Sequence, residues 1–190
     1  MHQIRSYIFE IFISAICYVG FFYFNALIDQ QFEVNRSVSW LFLPAGLRIF
    51  LSLIFIYAGT VGLILSSLVI NYVSYPDLDS DTALGIAIIS GVAPLLARLF
   101  VIHHFQVNSN LHNLTFQKLL IIIFVFALFS SGLHQLWFIT RNLDFGGWNL
   151  FIAMFSGDVI GSIVFIALIK YGLAYFRRRF GNIFPPPNPT

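Results

Sequence analysis

Among the ionisable side chains in the apolar runs of this sequence, four stand out as best placed to do chemistry: Arg48, Arg98, His134 and Asp158. A charge near the centre of a bilayer costs about 2.5 kcal/mol or more, so such groups normally face a partner or a wet cavity. At a helical rise of about 1.5 Å per residue, Arg48 and Asp158 fall roughly 10 to 15 Å from the same membrane boundary, with His134 somewhat shallower. The three are expected to meet in one half of the membrane. They would form either a charged pocket for a small ligand or a proton, or an Arg48–Asp158 ion pair that holds two helices together. His134 alone fits a hydrogen-bonded packing role better than a ligand site. Arg98 lies nearer the other boundary and could snorkel to it.

Other reactive residue types are poorly placed for catalysis. The sequence has no G-x-S-x-G elbow, no H-E-x-x-H and no phosphate-cradling glycine loop, so no enzyme and no cofactor is expected. His103, His104 and His112 lie in a polar loop without carboxylate or cysteine company, and no metal site is expected there. Cys17, the single cysteine, sits in an apolar run where packing is its expected role. Gly157 and Gly161 flank Asp158 with small-xxx-small spacing, which lets another helix approach closely, within the bundle or in a dimer. Pro94, after Gly91, is expected to kink its helix.

The elements that position these residues follow from composition. Of 190 residues, 58% are apolar and 9% charged, too few charges for the surface of a soluble domain. A spanning helix takes about 20 residues, so an all-α, polytopic transmembrane bundle with about six membrane-embedded helices is expected. Spans are read at 7–28, 82–102, 116–138 and 150–176. The stretch from Trp40 to Val73 is too long for one helix, and it reads as two short ones, 44–57 and 61–72, joined by an uncharged turn at Gly59–Gly62. They would be two steep crossings or a re-entrant hairpin. Residues 1–176 form one integral membrane domain, and 177–190 a basic, proline-rich tail.

Lysine and arginine in short loops are retained in the cytoplasm. Arg5, Lys118 and Arg177–Arg179 fall on one side in this layout, and Asp77, Asp79 and Asp81 on the other, so both termini are expected to be cytoplasmic. Asn113-Leu114-Thr115 matches a glycosylation sequon but falls on the cytoplasmic side. Trp40, Trp137 and Trp148 lie near outer boundaries. A net charge of +2 leaves no footprint for nucleic acid, and the lipid bilayer is the expected partner.

Two stretches carry a family likeness. Trp40 to Asn71, WLFLPAGLRIFLSLIFIYAGTVGLILSSLVIN, resembles the first-class membrane-associated sensor (MASE-type) domain family in its tryptophan, proline-small-glycine step, glycine turn and terminal asparagine. Ser156 to Ile169, SGDVIGSIVFIALI, resembles that family's glycine-aspartate helix. The resemblance places Pro44, Gly46, Asn71, Gly157, Asp158 and Gly161 at motif positions. It implies a multi-pass bacterial inner-membrane (cytoplasmic-membrane) sensory module, although the family's usual kinase or cyclase output domain is missing and Arg48 stands in a helix the family keeps apolar. The expected function is a stand-alone sensor or regulator signalling to a separate partner through Arg177, Arg178 and Arg179. The alternatives are the substrate-binding membrane component of a vitamin-type transporter, or a non-catalytic scaffold or assembly subunit.

Overall fold

In a computed structural model, the described residues are 2–29, 33–35, 38–105, 107–108, 111–143 and 147–180. They form five long helices: α1 (His2–Asp29), α2 (Pro44–Ser74), α3 (Ser80–His104), α4 (Phe116–Thr140) and α5 (Trp148–Phe180). Between α1 and α2, β1 (Glu33–Asn35) and β2 (Val38–Ser39) pair antiparallel in a ribbon too small to change the all-α class. Each helix contains a stretch long and apolar enough to cross a membrane, which makes this a multi-pass membrane protein. The rest of the proline-rich tail, from Gly181 onward, lies outside the described residues.

Five long helices stand where about six were expected, and α2 is the difference. The two short helices read at 44–57 and 61–72 are present as two arms of α2 that run on across a kink, but the glycines expected to form the turn between them lie within helix. The break comes earlier, at Ile56, with φ 47° and ψ −110°. These angles match the first central residue of a type II′ turn, a position glycine normally takes. Gly59 and Gly62 serve close approach instead: a side chain on Gly59 would meet the Leu51 carbonyl, and one on Gly62 would meet Ile11 and Ser14 of α1.

Contacts along α2 show the two arms of this bent helix lying side by side. Leu43, just ahead of α2, bonds Asn25 near the end of α1, and Arg48 bonds Tyr18 further back, so the first arm runs antiparallel to α1. Gly62 lies against Ile11 and Ser14 while Ser74 bonds Tyr23, so the second arm runs parallel to α1. From there the chain alternates. Asn71 bonds the Ala83 carbonyl and Gly91 lies against Thr60, setting α3 antiparallel to the second arm. Trp137 bonds the Thr82 carbonyl across α3 and α4, and Phe124 meets Phe155 across α4 and α5. Consequently α1 begins and α5 ends at the same end of the bundle, the end of the Ile56 bend.

Helix termini are set by local chemistry. Asp79 caps α3 by accepting from the Thr82 amide at 3.0 Å, and Thr115 caps α4 by accepting from the Lys118 amide at 3.3 Å. Pro44 opens α2, where its missing N–H costs nothing. α3 continues as one helix through Pro94. α5 does not stop at the arginines, because Arg177–Arg179 lie exposed in its last turn. That side suits cations, since the carbonyl end of a helix is partially negative. Cys17, expected to pack, faces outward.

The core at the bend end is aliphatic and aromatic. Ile49 and Leu53 of α2, Ala97 and Val101 of α3, and Ile123 and Phe126 of α4 pack into it. Arg98 is buried here at 4% exposed, beside Tyr57 at the bend.

Candidate functional site

The cavity at the other end is built first by α1. Its buried described positions are Ser14, Tyr18 and Asn25, all polar, while Ile16, Phe24 and Leu27 point outward. Spacings of four and seven residues put the three on one face, so α1 is apolar toward lipid and polar toward its neighbours. α3 adds small residues such as Ser90, α4 adds His134, and α5 adds Asp158.

A wall of the site is not helical. Residues 39–43 approach α2 across α5, with the Phe42 amide donating to the Gly157 carbonyl at 3.2 Å and the Leu43 amide to Asn25 Oδ1 at 3.2 Å. Gly157 and Gly161 make room for that crossing: a Cβ on Gly157 would overlap the Ser39 carbonyl, and one on Gly161 the Phe42 carbonyl. The small-xxx-small pair thus admits the chain's own extended backbone, not another helix. Non-helical backbone at this depth is tolerable because protein groups satisfy it.

These elements line a cavity of about 270 Å³. Tyr23, Ser74 and Tyr75 form its outer rim, and Tyr18, Arg48, His134 and Asp158 lie deeper, all nearly inaccessible. Arg48, His134 and Asp158, expected from the sequence to meet, line this one cavity.

Arg48 is 6% exposed, and its Nε donates to the Tyr18 hydroxyl at 2.6 Å. Its guanidinium also lies over the Tyr18 and Phe42 rings, 5.3 and 5.1 Å from their centroids, within the range of cation–π attraction. Asp158 is 1% exposed. The two are electrostatic neighbours, yet no ion pair within 4.0 Å joins them. Arg48 Nη1 and Asp158 Oδ2 are both buried without a hydrogen-bond partner, a costly state for charged groups. His134 Nδ1 donates to the Ser130 carbonyl at 2.8 Å; a carbonyl only accepts, so Nδ1 carries the proton. That bond fixes the ring within its helix, as packing requires.

The remaining polar lining is already tied. Asn71 Nδ2 donates to the Ala83 carbonyl at 2.9 Å, Ser67 donates to Ser90 at 3.3 Å, and Tyr23 bonds Ser74 at 3.1 Å. Sequence reasoning missed Tyr18, Asn25, Ser67 and Ser90, since hydroxyls and amides are ordinary in membrane helices. The polar stripe of α1 was the signal that could have found the first two.

Above the site, Arg141 at the end of α4 binds Asp79 at 2.7 Å and Thr82 at 3.0 Å. Thr82 holds the Asp79 carboxyl below its ordinary range, with Arg141 adding to the effect. No family model, curated protein or solved structure matches this chain.

Proposed function

We propose that this protein is a non-catalytic, ligand-binding membrane protein of the sensory or regulatory kind, related to the membrane-associated sensor (MASE-type) domains it resembles and lying in a bacterial inner membrane. The observation that carries this reading is the cavity in which Arg48 and Asp158 are both buried, unpaired with one another and each short of a hydrogen bond. Charges retained at such a cost in a membrane mark a binding or transport site more often than a strut. A scaffold would gain most from closing Arg48 directly onto Asp158, and that contact is not made.

Both termini are placed in the cytoplasm by the arginine bias, with the cavity opening outward and the bent α2 dipping from the outer face and returning. Occupancy at the outer end would then pass to a separate partner through the last turn of α5, where Arg177, Arg178 and Arg179 are exposed. The same cavity also suits the binding component of a small-molecule transporter.

Native mass spectrometry after purification in mild detergent, on wild type and Asp158→Asn, tests the binding reading. A co-purified small molecule that is lost in the variant supports it. Two empty, equally folded proteins would sink it and leave the scaffold reading. Uptake of that molecule into cells expressing the protein would select the transport alternative over sensing.

A further inference from the structure

We infer that the cavity takes a small zwitterion, a molecule carrying a carboxylate and a cationic amine a few ångströms apart, as α-amino acids do. This deepens the binding reading above and rests on it. Arg48 presents guanidinium N–H groups, which match a carboxylate in planar, charge-assisted geometry. Asp158 is an acceptor for an ammonium. Each side chain is more than nine-tenths buried and each has a polar atom without a partner, so a ligand bearing the complementary pair would satisfy both.

Charge balance narrows the class. Arg48 and Asp158 together are neutral, and the rest of the lining apart from His134 is aromatic, aliphatic, amide or hydroxyl. A net anion or cation would leave an uncompensated charge in a low-dielectric site, at a cost of several kcal/mol. A zwitterion leaves none. Asn71 Nδ2 and the Ser67 hydroxyl already donate within the protein, so the two charges carry most of the recognition.

Size narrows it again. At about 30 Å³ per water, the cavity holds about nine waters, room for a ligand of about ten non-hydrogen atoms. Phe22, Phe42 and Phe138 also line the cavity, and would accept an apolar substituent.

The test is thermal unfolding of the purified, full-length protein in detergent with three equimolar pools: the natural α-amino acids, the matching amines without the carboxylate, and the matching acids without the amine. Stabilisation by the amino-acid pool alone is expected. The responding compound should lose about tenfold or more in affinity in Arg48→Gln and in Asp158→Asn, the scale of one charged hydrogen bond. Equal stabilisation by amines or acids, or no response to any pool, would overturn the zwitterion. A molecule still found by native mass spectrometry would in that case keep the binding reading alive with a different ligand, so the two failures are distinguishable. The three-pool comparison needs only wild type, so a variant that fails to fold does not spoil it.

Discussion

The two ends of this bundle are made by the same five helices and solve opposite problems. At the bend end, Ile49, Leu53, Ala97, Val101, Ile123 and Phe126 close a dry core. At the other end, the same α2, α3 and α4 present Arg48, Ser67, Ser90 and His134 and leave a cavity of about 270 Å³. In a membrane, apolar side chains gain little by leaving lipid for protein, so packing and hydrogen bonds hold helices together. The dry end is held by interdigitation. The cavity end is held by side chain–backbone bonds and by backbone laid on glycine, which lets it stay open without coming apart.

The sharpest way to break this contrast is at Gly161. Gly161→Ala drives a methyl into the Phe42 carbonyl, and backbone yields less readily than a side chain, so a loss of about 3 kcal/mol is expected. It should register as a fall in Tm and a shift to aggregate on size exclusion. Wild-type behaviour would mean that residues 39–43 are not pressed against α5. Phe126→Ala, in the dry end, should cost about 2 kcal/mol. That is less than in a soluble core, because the lost packing is not joined by a lost transfer from water. Ser90→Ala, at the cavity, should cost under about 1 kcal/mol. A reversal of that order would remove the distinction between the ends.

Ile56→Gly is expected to stabilise by about 1 kcal/mol, since a β-branched residue at positive φ is strained and glycine is not. The measure is a raised Tm. The smallest effect concerns the rim. Because Asp79 is held below its ordinary value of 3.8, its contribution is present above that pH and fades as pH falls through the lowered value. A stability titration below about pH 4 should show a slope for wild type that Asp79→Asn lacks.

Most spans were legible because bilayer thickness fixes their length: the sequence reading 116–138 compares with Phe116–Thr140, and 82–102 with Ser80–His104. The bend was not. Glycine drew attention to Gly59 and Gly62, whereas the chain turns at Ile56, whose type carries no turn signal. Tertiary contacts override local preference there. Arg48, His134 and Asp158 stood out because charge is expensive in lipid, and the same reasoning found which residues gather, but not how they bond. Whether Arg48 closes on Asp158 or stacks between Tyr18 and Phe42 depends on distances of a few ångströms that spacing does not encode.

The crossing of residues 39–43 over Gly157 and Gly161 has a consequence for how the protein is made. The segment leaving α1 is synthesised early, yet the carbonyl that receives the Phe42 amide belongs to α5, made after the other four described helices. Asp158, the counter-charge to Arg48, arrives with it. Order of synthesis and order of completion therefore differ: the early helices can enter the bilayer in turn, but the entrance to α2 is finished only when α5 slides beneath it. In that sense α5 is the keystone of α1 and α2.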